Sequence, residues 1–437
     1  MKLYYLIVSV CLIAVNGCKP SVQPITNAAD YEVYLKRNSQ NSLHSLQVIN
    51  EDIHFWGQRL KTGISFDPVS RVKLAGLYAA RFKVAGNIDD IHRSDSLYLL
   101  ANPLIKIGSS SVYRALASNC VTQHKFQQAK LYIDSALVMG DDKYVSLLMQ
   151  CDVSIELGNL PAARKALGKI KEKDDFDYLI REAKLLDHEG KLDEAILRME
   201  KAVSQVESSK NDKLVSWAKT NLGDFYGHAN RFKEAYQTYL DILKIDPDDF
   251  YALKGIAWLA FSHDKNVVEA KRILNHLSLI HPIPDYDLML AKIADFENNN
   301  EEKDFHLKKF VKSVSDSRYG DMYNKYLFYL LVDENKGQEK ALAIAEKEVV
   351  NRPTPQSFDL LAWAKFQSGK KDEALRIAKN FVENKSFEPD AYYHLAMIYL
   401  DAGNISKGKK YLKQAENSTF ELGPLMANKI KMVSQDL

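Results

Sequence analysis

FDLLAWAKFQSGKKDEALRIAKNF (Phe358–Phe381) is followed 34 residues later by YYHLAMIYLDAGNISKGKKYLKQA (Tyr392–Ala415), and the two align without a gap. Leu361-Ala362 matches Leu395-Ala396, Gly369 matches Gly403, Ala374 matches Gly408, and Pro355 matches Pro389. In each unit apolar residues recur at three- and four-residue steps over two stretches of about 14 residues, split by a Gly-Lys or Gly-Asn turn; this predicts a helical hairpin. The glycine allows the left-handed conformation that ends the first helix. The proline opens the next unit where a missing N–H does no harm.

A helix-turn-helix unit with a 34-residue period resembles the tetratricopeptide repeat (TPR), with small residues near positions 8 and 20, Tyr near 11, an aromatic at 24, Ala at 27 and Pro at 32. The clearest copy is KTNLGDFYGHANRFKEAYQTYLDILKIDP (Lys219–Pro247), with Leu222, Gly223, Tyr226, Ala235, Tyr239, Ile242 in place of Ala, and Pro247. Taking position 20 as a marker, copies fall at Ala129, Ala163, Ala195, Ala235, Ala270, Ala341, Ala374 and Gly408, spaced by 34, 32, 40, 35, 71, 33 and 34. The gap of 71 calls for a degenerate copy in YDLMLAKIADFENNNEEKDFHLKKFVK (Tyr286–Lys312), turning at Asn298–Asn300. A further copy with a stretched turn is expected in Lys73–Ala101.

The resemblance implies an all-α chain, a right-handed α-solenoid of nine or ten TPR hairpins whose first helices line a concave groove. The expected organisation is a leader over 1–17, a tether over 18–29, a helical segment with a degenerate repeat over 30–100, the superhelix over 101–420, and a capping helix over 421–437. Small residues at 8 and 20 let the two helices approach closely, and the aromatic at 24 fills the gap to the next hairpin.

The N-terminus, MKLYYLIVSVCLIAVNGCKP, places Lys2 before an apolar run from Leu3 to Val15. That run is too short to span about 30 Å of hydrocarbon and has the form of a signal peptide. Its end, Val15-Asn16-Gly17-Cys18, resembles the lipobox of bacterial lipoproteins, which implies lipidation of Cys18 and membrane attachment through its acyl chains (palmitate among them). Lys19 after the cysteine implies the outer membrane. The absence of an acidic cluster before Asp30 implies the periplasmic face, with cell-surface display as the alternative. Of the other cysteines, Cys11 leaves with the leader. Cys120 and Cys151 sit at small-residue packing positions, which favours buried free thiols over a disulfide.

With 59 Lys and Arg against 57 Asp and Glu, the chain has no long-range field to attract nucleic acid. It carries no Walker A, G-x-G-x-x-G, H-E-x-x-H, C-x-x-C or G-x-S-x-G pattern. No catalytic residue, cofactor or metal ligand is therefore assigned. The run Asp246–Asp249 reads as a turn with an N-capping Asp.

What remains is the groove. Positions 2, 5, 9, 12 and 13 of the first helix bind peptides in the family. Carried over residue by residue, they fall on Trp217, Tyr251, Trp258, Phe261, Tyr323, Tyr326, Trp363, Phe366 and Tyr393. In the N-terminal copies they fall on Ser111, Arg114, Asp152, Asp177, Lys184 and Asp187. Exposed aromatics in a concavity anchor partners; the competing role is packing between adjacent first helices. Lys184 and Lys254 are candidates for isolated contacts with acids. The expected function is a non-catalytic, membrane-anchored scaffold binding a protein or peptide, the alternative being a glycan-binding lipoprotein of a nutrient-uptake system.

Overall fold

The computed structural model describes residues 23–37, 40–62, 67–105, 109–333 and 337–437. The leader over 1–17 and the lipidation expected at Cys18 lie outside the described residues. Two helices, α1 (Ala28–Leu35) and α2 (Gln40–Thr62), precede the regular array. The array begins with α3 (Pro68–Ala85) and α4 (Ile88–Ala101), then α5 (Ser109–Thr122) and α6 (Phe126–Met139), α7 (Lys143–Glu156) and α8 (Leu160–Leu167), and α9 (Phe176–His188) and α10 (Leu192–Val206). It continues with α11 (Asp212–His228) and α12 (Phe232–Ile245), α13 (Phe250–Ser262) and α14 (Val267–Ile280), and α15 (Pro284–Phe296) and α16 (Asn300–Val314). The last pairs are α17 (Asn324–Asp333) and α18 (Gln338–Asn351), α19 (Pro355–Gln367) and α20 (Lys371–Ile377), and α21 (Pro389–Asp401) and α22 (Ile405–Asn417), followed by α23 (Thr419–Gln435). The helices α3 to α22 thus form ten hairpins, and no strand occurs among the described residues.

Eight of the ten hairpins turn by the same device. A residue of positive φ ends the first helix at His124, Gly158, Gly190, Asn230, Lys265, Asn298, Gly369 or Gly403. Five residues later comes the small marker, and Ala129, Ala163, Ala195, Ala270 and Ala374 are all fully buried. In the degenerate copy Asn298 makes the turn, Asn299 caps α16, and Lys303 occupies the marker position, where it pairs with Asp295 at 3.3 Å. The turn expected to be stretched is short: Gly86 and Asn87 alone join α3 to α4. It is α3, at 18 residues, that is long.

The packing logic is clearest around Tyr239. A Cβ added at Gly223 would come within 2.9 Å of its ring and one at Gly255 within 2.6 Å, so glycines on two successive first helices make room for one aromatic. Cys120 and Cys151 are free and buried, and burial pushes both thiols up to about 12.

Two features lie beyond the repeat. Residues 25–35 form a strap docked on α12 and α14 rather than a free tether. The backbone N–H groups of Ile25 and Thr26 donate to the Asp264 carboxylate, each at 2.9 Å. Tyr31 is fully buried and donates to Glu269 at 2.8 Å.

The coil also closes on itself. Arg352 pairs with Glu156 at 2.8 Å across 196 residues, Asn351 Nδ2 donates to the His124 carbonyl at 2.6 Å, and His92 Nε2 lies 2.9 Å from the Arg318 carbonyl. Gly158, at φ +69°, lies so close to the next turn that a Cβ would stand 2.8 Å from the Pro353 carbonyl oxygen. Hairpin turns in the first half therefore abut the inter-hairpin loops of the second half, about six repeats later.

Candidate partner-binding groove

The first helices α11, α13 and α15 place a cavity of about 310 Å³ on the concave side, with Asp224, Tyr239, Tyr251, Lys254, Trp258 and Met289 in its wall. Asp224 accepts from Tyr239 Oη at 2.6 Å and from Tyr251 Oη at 2.8 Å, fixing both rings. Burial raises both phenol pKa values, and the Asp224 charge adds to the effect. The Lys254 ammonium sits 4.2 Å from the centre of the Tyr251 ring, so this lysine borders an aromatic wall rather than meeting an acid. Asp249 caps α13 by accepting from Ala252 N at 2.8 Å, as the reading of Asp246–Asp249 required.

The nine aromatics divide. Trp217 (46% exposed), Tyr251 (45%) and Tyr326 (39%) are open to solvent. Trp258 is half-buried and lines the cavity. Tyr323, also half-buried, stands edge-on to Phe310 and donates to Asp285 at 3.4 Å.

Two residues correct the expectation of a continuous aromatic groove. Phe261, at 2% exposure, belongs to the main core and meets Phe296 edge-on. Trp363, at 8%, stacks on His394 at 4.2 Å and on Phe366 at 5.3 Å, with Tyr393 edge-on at 6.0 Å. Trp363, Phe366 and Tyr393 thus bridge α19 and α21, so the competing packing role holds for them. The physical cause is His394. Its Nδ1 lies 2.8 Å from the buried Asp359 carboxylate, which brings the imidazole face against the indole.

In the N-terminal copies the groove positions are joined to one another. Arg114 reaches Ser146 Oγ at 3.1 Å, Arg181 pairs with both Asp152 and Asp177, and Lys184 pairs with Glu156 at 2.9 Å. Lys184 is therefore committed to an internal acid. Burial raises the pKa of Asp187, against the lowering influence of His228, and the like charge of Glu388 adds to the rise. Ser111 also keeps an interaction of its own.

Sequence reasoning missed Asp224, His228, Phe420 and Glu421. Asp224 sits beside the repeat's small Gly223, where the family pattern assigns no polar role. Phe420 and Glu421 lie beyond the last repeat and enter the cavity from α23, which packs on α21 and α22 and also reaches α11, α13 and α15.

The tetratricopeptide-repeat family model matches residues 218–249 and 389–418. The chain is a tetratricopeptide-repeat protein. Among solved structures it is similar to yeast Tom70, at 14% identity over 94% of this TPR chain and 97% of that one, with a TM-score of 0.35. It is also similar to a TPR protein from Parabacteroides merdae, at 16% identity over 63% and 93% with a TM-score of 0.32. A third similar structure is YrrB, described as a TPR protein with an unusual peptide-binding site, at 20% identity over 45% and 95% with a TM-score of 0.28. No curated protein matches the chain. Its repeats make it a protein-interaction scaffold in architecture, a class that is generally non-catalytic. No helix among the described residues is long and apolar enough to cross a membrane.

Proposed function

We propose that this TPR chain is a non-catalytic scaffold that holds a protein or peptide segment against the cavity walled by Tyr251, Lys254 and Trp258, and that it does so tethered to the bacterial outer membrane by lipid on Cys18. The observation that carries the first part is the exposure of Trp217, Tyr251 and Tyr326 on first helices of the array, with Tyr251 in the wall of that cavity. A folded chain rarely leaves large rings open in a concavity without a partner to cover them. Protein partners suit such a site because the rings supply buried area and Asp224 and Lys254 supply orientation.

The strap gives the anchor a geometric consequence. Ile25 is fastened to Asp264 only seven residues after Cys18, a reach of about 25 Å at most in extended chain. A lipid on Cys18 then holds the body close to the bilayer, with the α13–α14 turn toward it.

The test is affinity capture from detergent-solubilised envelope. Changing Trp217, Tyr251 and Tyr326 together to Ala removes the main captured partner while the melting temperature stays nearly constant; full capture by this variant overturns the groove reading. Cys18→Ala releases the protein into the soluble fraction, and unchanged membrane fractionation overturns the anchor.

A further inference from the structure

The cavity beside Trp258 is not empty of protein, because residues 420–423 of the chain itself lie against it. The Phe420 ring packs on Phe232 with centroids 4.5 Å apart, and a Cβ on Gly227 would come within 3.1 Å of it. The Phe420 carbonyl accepts from Ser262 Oγ, and the Asn417 carbonyl accepts from Asn230 Nδ2 at 3.2 Å. The Glu421 carboxylate lies 3.7 Å from His228 Nε2. Gly423 leaves the helical conformation (φ 81°, ψ 170°) at the point where its Cβ would stand 3.1 Å from the Trp258 ring. An aromatic, an acid and a glycine each meet a fitted feature of α11, α12 or α13.

We propose that Phe420-Glu421-Leu422-Gly423 is a resident stand-in for the partner. The groove accepts a helical turn in which an aromatic residue is followed directly by a carboxylate and, three places after the aromatic, by glycine that breaks the helix, and such a segment displaces residues 418–424. This rests on the groove reading above and specifies its ligand.

Three observations make the resident segment displaceable. Its carboxylate is poorly placed: the basic group beside it is the His228 imidazole, at 3.7 Å, while Asp187 on α9 and Glu388 and Asp390 at the start of α21 face it as like charges. Burial pushes Glu421 up to about 7. Lys254 borders the same cavity with no acid bonded to it among the described residues, and Asp224 is occupied by two tyrosines. A partner whose carboxylate reaches Lys254 escapes the repulsion that Glu421 meets. Finally, Ile430 stays packed in the cluster of Leu395, Tyr399 and Leu412, so the helix after Pro424 remains attached when the segment before it leaves. A tethered competitor of this kind acts at an effective concentration of roughly millimolar, so it sets a threshold that weak ligands do not cross.

The experiment is calorimetric titration of the full chain with a synthetic peptide of residues 417–426, NSTFELGPLM. Phe420→Ala is expected to bind it about tenfold or more tightly than the unmodified chain, because the cis competitor has lost its anchor. Adding Trp258→Ala in that background is expected to abolish the gain. Glu421→Gln keeps the packing but removes the like-charge repulsion, so the resident segment holds better and the peptide binds several-fold more weakly than to the unmodified chain. Equal affinity for the unmodified chain and the two single variants overturns the proposal, as does no binding by a Phe420→Ala chain that retains its helicity and melting transition. Should Phe420→Ala fail to fold, the Glu421→Gln comparison decides alone. Partner capture that still depends on Trp217, Tyr251 and Tyr326 while these titrations fail sinks the stand-in and leaves the groove reading intact.

Discussion

The concave positions of α5, α7 and α9 and those of α13, α17, α19 and α21 occupy the same places in the repeat and do opposite work. In the first group Arg114, Asp152, Lys184 and their neighbours saturate one another across adjacent helices. In the second, rings replace charges, and a ring has no fixed valence to fill. Some of them (Phe261, Trp363) are absorbed by neighbouring helices, and others (Tyr251, Tyr326) are left in solvent. The same register therefore produces a stapled wall on one side of the coil and an adhesive one on the other. Which rings are free to bind is decided by what stands next to each ring.

The largest expected effect separates packed from open rings. Trp363→Ala removes a buried indole from between Phe366 and His394 and is expected to cost about 3–5 kcal/mol, read by denaturant or thermal unfolding. A loss under about 1 kcal/mol breaks the division drawn here.

Next comes Glu156→Gln, which removes the carboxylate shared by Lys184 and by Arg352 of the following turn. A loss of about 1–3 kcal/mol is expected, smaller than for a fully buried pair because both cations are partly exposed. Burial pushes the Glu156 pKa up, but Lys184 and Arg352 outweigh it and the net shift is downward. Its contribution to stability is therefore present above the pKa of the unfolded chain and is lost as pH falls through the lower folded value. The variant is expected to flatten that acid limb of the stability profile.

Asp152→Asn, which breaks one half-buried rung of the wall at Arg181 while leaving that arginine its Asp177 partner, is expected to cost about 1 kcal/mol, measured as a shift in unfolding midpoint that high salt diminishes. The smallest change in stability belongs to Tyr326→Ala, within about 0.5 kcal/mol, since the ring is open to solvent. Its effect is expected in partner capture instead.

The hairpins were legible because each is a local object. A positive-φ residue followed five places later by a buried small residue is written in contiguous sequence, and even the degenerate copy kept its Asn298 turn after losing the alanine. The groove was legible only as a register. Counting positions identifies first-helix residues on the concave side but cannot foresee that a His394–Asp359 pair holds a ring against Trp363. Nor does it show that Asp224 gathers two tyrosine hydroxyls from different helices.

By itself, then, the sequence determined the all-helical repeat, its phase and the small residues on which each hairpin closes, because those depend on backbone conformation and contacts within about 34 residues. Only the tertiary structure decided that Ile25–Leu35 straps the outer helices, that Arg352 meets Glu156 a full turn of the coil away, and that Phe420 enters the groove. Those contacts join residues 158–239 positions apart, and their existence depends on the accumulated rotation from one hairpin to the next, a quantity that no single repeat encodes.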